Sequence, residues 1–266
     1  MIKSMFADEN KVVDPLRMMQ RVIDKAMSRT QVTVQKLMYS DGITPEQMRD
    51  LNIIRMTELA MMLRTKNLSE LYAKEDMISM LRMRSYSAPE YLKKLAGQVV
   101  RLFPDGIISI DVNCGDDCES VIFDSMRMSI ILYNLLSNAI IHNRKKQKVI
   151  TVSACLRGDV FVVRVNDNGR KIPEAGRKKL FSEEAITLDE AEYSYLGVKG
   201  LGLPLCRKAA KEMNGEVMYI PSAAGNTFEV TVPQGFYKYS VNETALADVD
   251  YGYTEMYMAE AVLSVI

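Results

Sequence analysis

Apolar residues recur with helical spacing through the first seventy positions. Leu16, Met19, Ile23 and Ala26 step by three and four, and Leu37 keeps the phase. Such a run reads as one long helix from residue 10 to about 38 with an a/d-type seam. "SDGITPEQ" interrupts it: Gly42 suits a helix C-terminus, Thr44 an N-cap and Pro45 the first position of a new helix. Ile53, Met56, Ala60 and Leu63 then carry a second helix to about Leu71. Two long helices on a short turn predict an antiparallel hairpin. One hairpin has too little partner surface to bury both seams, so a homodimer that pairs two hairpins into a four-helix bundle is expected.

Beyond about residue 75 the period changes. "MISMLRM" reads as a short strand, and "SAPEYLKKLAGQVVRLF" as a helix with Ser87 as N-cap. "GIISIDVN" alternates like a strand, "SVIFD" is another, and "SMRMSIILYNLLSNAIIHN" is a strongly apolar helix. "KVITVSACL" and "VFVVRVND" predict a β-hairpin turning at Arg157-Gly158-Asp159. "LPLCRKAAKEMNG" reads as a helix stopped by Gly215, and "EVMYI" and "TFEVTVP" close the sheet. Interleaved helices and a mixed, mostly antiparallel sheet predict an α+β chain whose second part is an α/β sandwich.

Composition narrows the function classes. Lys plus Arg and Asp plus Glu both number 34, so the balance favours neither nucleic acid nor an anionic membrane. The N-terminus lacks a signal-peptide h-region and no apolar run reaches spanning length, so a cytoplasmic protein with no membrane partner is expected. Cys114 and Cys118 in "CGDDC" lack two further ligands at zinc spacing and read as free thiols in a turn.

Three stretches carry candidate chemistry. In "NLLSNAIIHN", Asn134 and Asn138 lie one turn apart on the same side of an apolar helix. A buried amide must be hydrogen-bonded, and an Asn oxygen suits Mg²⁺; the alternative is an Asn that ties down a neighbouring loop. In "VNDNGRKIP", Asp167 ends a strand, where a buried carboxylate can accept from an exocyclic amine such as that of adenine, and Gly169 lets the backbone pass close. An ordinary Asp-Asn-Gly turn would read the same. In "GVKGLGLPLCRKAA", glycines 197, 200 and 202 precede a helix, a pattern that can cradle an anion.

Taken in order, these stretches resemble the N, G1 and G2 boxes of the GHKL ATPase superfamily, most closely the catalytic domain of two-component sensor histidine kinases. "LYNLLSNAI" is similar to the N box, "LGVKGLGLPLCRKAAKEMNGEV" to the G2 box and its helix, "KKLFSEE" to the F-box region, and "AAGNTFEVTVP" to the last glycine box. The resemblance divides the chain into residues 1–74, a dimerization and phosphotransfer-like hairpin; 75–235, an ATP-binding domain; and 236–266, a tail. It implies ATP and Mg²⁺ as cofactors, with Asn138 holding the metal, Asn134 supporting the phosphates, Asp167 and Gly169 at adenine, Gly200 and Gly202 along the phosphates, and Thr227 near the base. Residues 182–199 would form the lid.

Two departures stand out. Lys171 replaces the second glycine of the G1 box, which would cost on the order of 1 kcal/mol if the backbone there required φ > 0; alternatively its ammonium reaches the phosphates. The family's phosphoacceptor box reads His-Glu-x-x-x-Pro-Leu. Pro15-Leu16 fits its end, and counting back five residues from Pro15 reaches Asn10, with Lys11 in the acidic position. Asn cannot form a phosphoramidate. The single histidine, His142, ends the N-box helix; it is either a phosphate or lid contact or a helix-end residue beside the C-terminal dipole, the latter preferred. The resulting expectation is an ATP-binding pseudokinase that regulates another kinase or binds a response regulator through the hairpin. An active kinase with a non-standard or in-trans acceptor, and a nucleotide-free interaction module, are the alternatives.

Overall fold

A computed structural model of the chain describes residues 15–72, 81–182, 187–188, 198–222, 225–235 and 251–265. Asn10, Lys11 and most of the expected lid lie outside these residues, as does most of "MISMLRM". The first strand described is β1, Met83–Tyr86, which starts where that stretch ends.

Helices α1 (Pro15–Met38) and α2 (Pro45–Tyr72) pack as an antiparallel hairpin. Its turn follows from local chemistry. Gly42 takes φ 81°, a left-handed conformation that glycine adopts freely. Thr44 and Gln47 then form a reciprocal capping box: the Gln47 N–H donates to Thr44 Oγ1 at 3.2 Å, and the Thr44 N–H donates to Gln47 Oε1 at 3.0 Å. The seam between the two helices differs from the expected one. Among the described side chains of α1, Val34 is buried, flanked by half-buried Ile23, Met27, Gln31 and Met38. Ala26 is exposed, and so are Met18, Val22, Val32 and Leu37, which leave α1 with an uncovered apolar face. On α2, Met56, Ala60 and Leu63 are buried and Ile53 is exposed.

The remaining elements build an α/β sandwich. A five-stranded sheet has the order β2-β4-β5-β9-β8, from β2 (Ile108–Cys114), β4 (Lys148–Arg157), β5 (Val160–Asp167), β8 (Glu216–Pro221) and β9 (Asn226–Pro233). Only β2 and β4 run parallel. β3 (Val121–Asp124) pairs with β1 in a separate two-stranded sheet, β6 (Thr187–Leu188) pairs with β7 (Val198–Lys199) in another, and α5 (Glu174–Arg177) is a single helical turn after β5. Helices α3 (Ala88–Val100), α4 (Ser125–Ile141) and α6 (Gly202–Glu212) pack on the larger sheet. Period-two alternation sends Ile150, Val152 and Ala154 of β4 into the core. They bury with Leu132, Leu135, Leu136 and Ile140 of α4, each no more than 1% exposed. The β4–β5 turn falls at Gly158-Asp159, as the pattern predicts.

The stop after α6 is made differently from the expected glycine stop. Asn214, not Gly215, takes the left-handed conformation, φ 54°. Gly215 is required for space, because a Cβ there would overlap the carbonyl oxygen of Thr231.

A last helix, α7 (Tyr251–Leu263), joins hairpin and sandwich. Arg55 of α2 pairs with Glu255 at 2.8 Å, and Lys66 lies 4.1 Å above the Tyr253 ring. On its other side, Tyr257 stacks on Tyr133 of α4, centroids 5.3 Å apart, and Thr254 Oγ1 shares a 2.6 Å hydrogen bond with the Tyr133 hydroxyl. Lys208 of α6 donates to the carbonyls of Glu70 and Leu71, so a cation closes the C-terminus of α2. Among the described residues no helix is long and apolar enough to cross a membrane.

Candidate functional site

A cavity of about 490 Å³ opens between α4, the end of β5, the start of α6 and the start of β9. Asn134, Asn138, His142, Asp167, Gly200 and Gly202 all line it. The size falls within the range of small-ligand clefts, roughly 300–1,000 Å³.

Asp167 is the most constrained polar group of the site. It ends β5, is 5% exposed, and accepts at Oδ1 from the Gly169 N–H (2.7 Å) and from Asn226 Nδ2 (3.1 Å). Both of these contacts fall on Oδ1, and Asp167 lines the cavity. Burial pushes the Asp167 carboxyl above the ordinary aspartate range, and the Gly169 and Asn226 donors oppose that rise without cancelling it. Gly169 does not itself line the cavity. A Cβ there would stand 2.8 Å from Asp167 Oδ1 and 3.3 Å from Asn143 Cγ, so the glycine lets the loop fold back onto the carboxylate. Gly225, at φ 75°, seats β9 directly against the Asp167 carbonyl.

At the other wall, Asn134 is 8% exposed and donates from Nδ2 to the Ile130 carbonyl at 2.7 Å. Its Oδ1 lies 2.7 Å from where a Gly202 Cβ would be. The start of α6 therefore packs closely on the N-box helix only because residue 202 is glycine. Leu201, at the N-cap of α6, provides no side-chain cap, which leaves the first N–H groups of this helix for an anion. Gly200, at φ 84°, turns the chain into that helix. Asn138 is half-buried on the cavity side of α4, and His142 is exposed at its C-cap.

Residues 123–235 match the family described as histidine kinase-, DNA gyrase B- and HSP90-like ATPase. This part of the chain is similar in sequence to that ATPase family. It is 31% identical over 126 residues to the adaptive-response sensory kinase SasA of Synechococcus sp., a match covering 44% of this chain and 30% of that kinase. It is 31% identical over 115 residues to the aerobic respiration control sensor protein ArcB of Escherichia coli K12, covering 43% of this chain and 15% of that one. The matched part is thus less than a third of either relative. In fold, the chain is similar to full-length ShkA solved with AMPPNP, with TM-score 0.63, 15% identity, and coverage of 82% of this chain and 45% of that one. It is also similar to the Acinetobacter baumannii histidine kinase AdeS, with TM-score 0.55, 13% identity, and coverage of 81% and 96%.

Two expected contacts of the ATPase cleft fall elsewhere. Lys171 is exposed and does not line the cavity, and its φ is outside the left-handed region. A side chain is tolerated there because the backbone neither turns left-handed nor approaches the cavity. Thr227 accepts from Asn166 Nδ2 at 2.7 Å on the opposite face of β9. Strand parity explains it: Asn226 pairs with Asp167 in the ladder and, with Phe228, lines the cavity, so Thr227 between them points away. Asn226 is the residue that sequence reasoning misses. Its Nδ2 holds Asp167 and the Arg170 carbonyl, and its Oδ1 accepts from the Ile172 N–H at 2.9 Å. The available signal was the Asn between the last glycine and the strand. Phe228, in edge contact with Phe181 and Tyr219, gives the cleft an apolar wall.

The donor set suits a nucleotide better than a free metal. Among the described residues no group of three His, Cys, Asp or Glu side chains could hold a metal ion. A magnesium ion would take the neutral Asn138 oxygen and depend on phosphate and water oxygens for its other ligands. The cysteines are free thiols, with Cys118 buried in a short turn.

Proposed function

We propose that this chain binds Mg·ATP in a histidine kinase-like signalling role and does not phosphorylate itself on histidine. The observation that carries the nucleotide reading is the buried, Gly169- and Asn226-held carboxylate of Asp167, in one cavity with Asn138 and the uncapped start of α6. In this reading Asp167 Oδ2 accepts from the exocyclic amine of adenine against the apolar wall of Phe228. The first N–H groups of α6 hold phosphate, and Asn138 shares Mg²⁺ with it; the metal neutralises phosphate charge. The acceptor is what the chain lacks. The hairpin sequence contains no histidine, and the sole one, His142, lies at the rim of the nucleotide cleft.

The uncovered apolar face of α1, with Met18 60% and Val22 62% exposed, supports pairing of two hairpins into a four-helix homodimer. A response regulator or another kinase is the partner this reading expects. The role belongs in the cytoplasm, where ATP is available. Incubation with γ-labelled ATP and Mg²⁺ tests the reading. Binding without stable acid-labile phosphate on the chain is the expected result. Acid-labile phosphate would refute the pseudokinase assignment, and absence of nucleotide binding by calorimetry would refute the ATP site.

A further inference from the structure

The nucleotide cavity is not walled by the ATPase domain alone. Arg64 and Asn67 of α2 and Tyr257 of α7 line it together with Asn134, Asn138 and Gly202. Asn67 is 4% exposed and Tyr257 2% exposed. Asn67 Oδ1 and the Tyr257 hydroxyl have no hydrogen-bond partner among the described residues. Leaving a buried polar atom unpaired costs about 1–3 kcal/mol, so two on one cavity wall mark a place where a ligand completes the bonding. Neither residue belongs to the boxes that build the ATPase cleft; they come from the hairpin and from the C-terminal helix.

The chemistry of the set selects the ligand. A guanidinium is a fixed multi-donor cation suited to phosphate oxygens. A tyrosine hydroxyl donates, and an Asn amide does so when turned about its last bond, which exchanges its oxygen for the NH₂ group. Their place in the fold selects the end of the nucleotide. Lys208 of α6 holds the carbonyls of Glu70 and Leu71, about one turn beyond Asn67. It is six residues past Gly202, roughly 9 Å along the helix at 1.5 Å per residue. The end of α2 is therefore fastened beside the second half of α6, and Arg64 and Asn67, earlier on α2, line the cavity with Gly202, where the N–H groups for phosphate lie.

We propose that Arg64, Asn67 and Tyr257 form a subsite for the terminal phosphate of the nucleotide, supplied by the hairpin and the C-terminal helix of the same chain. This rests on the nucleotide reading above and adds selectivity to it. A nucleotide with a third phosphate engages α2 and α7, and one without it does not. By linkage, ATP but not ADP then holds the hairpin and α7 against the ATPase domain.

Calorimetry on the full chain with Mg²⁺ and either AMPPNP or ADP tests this, using Arg64→Gln, Asn67→Leu and Tyr257→Phe. Tyr257→Phe deletes only a hydroxyl and keeps the ring stack on Tyr133, so it reads the site even if another variant fails to fold. The wild type is expected to prefer AMPPNP over ADP, and Arg64→Gln to weaken AMPPNP about tenfold or more, as loss of a charged hydrogen bond predicts. ADP affinity should change less than twofold in all three variants. Unchanged AMPPNP affinity in all variants that fold would overturn the subsite and leave the ATP reading standing. Equal weakening of AMPPNP and ADP would assign these residues to packing alone and also overturn it. A wild type that binds neither nucleotide overturns both readings.

Discussion

Replacement of Asp167 by Asn separates the binding role of this carboxylate from its structural one. The substitution keeps an oxygen able to accept from Gly169 N–H and Asn226 Nδ2 at the Oδ1 position, so the loop and the start of β9 retain their contacts. At the Oδ2 position it places an NH₂, which opposes a second amine in the cavity instead of accepting from it. Losing one charge-assisted hydrogen bond costs about 1.5–3 kcal/mol, or roughly a 10- to 150-fold rise in the Kd for ATP. Stability should move the other way. Burial raises the Asp167 pKa in the folded chain above its unfolded value. The folded state then holds the proton more tightly, so this group favours folding most below the unfolded pKa. That contribution is lost as pH rises through the window between the unfolded and folded values. Above that window the buried ionised carboxylate is a net burden that the amide removes. Calorimetry with AMPPNP should show the affinity loss, and thermal denaturation at neutral pH an equal or higher Tm. Wild-type affinity in Asp167→Asn, or a Tm lowered by several degrees, would refute this account of the residue.

Gly225→Ala should prevent the native start of β9, because the added methyl overlaps the Asp167 carbonyl at a left-handed φ; a loss of several kcal/mol in urea unfolding is expected, about 3 or more. Glu229 is buried, which alone would raise its pKa, but the hydrogen bonds and charges of Arg157 and Arg164 outweigh this and hold it below the ordinary range. Its contribution is thus present above the unfolded pKa and fades as pH falls through the folded one. Because both arginines are half-exposed, Glu229→Gln should cost on the order of 1 kcal/mol at neutral pH and less in high salt, measured by chemical denaturation. On the hairpin, Val22→Asp should convert the expected dimer to monomer in analytical ultracentrifugation while leaving the circular dichroism of the ATPase domain unchanged; a dimer that survives places the interface elsewhere.

Local chemistry was legible wherever residues close in sequence decide the outcome. The Thr44–Gln47 capping box, the Gly42 turn, the Ser87 and Gly158 boundaries and the alternation of β4 follow from neighbours within four residues. The carboxylate, amide and glycine stretches were likewise readable, since their order along the chain resembles one family of ATPases. What stayed hidden depended on residues far apart. Thr227 reads as the base contact until the β5–β9 register puts Asn226 opposite Asp167. Lys171 reads as a fault in the cleft until the loop is seen to carry it outward. In the hairpin, the a/d pattern fits more than one helical face, and only packing against α2 selects Val34 over Leu37.

The sequence by itself determined the elements and the chemical groups available at the cleft, because capping, turn formation and periodicity are short-range. The tertiary structure alone decided which groups meet. Asn226 reaches Asp167 through a strand ladder 59 residues away in sequence, and Tyr257 and Asn67 share a cavity because α7 docks on both α2 and α4. Such contacts depend on the relative placement of whole elements, which shape-matched burial sets and which no local pattern encodes.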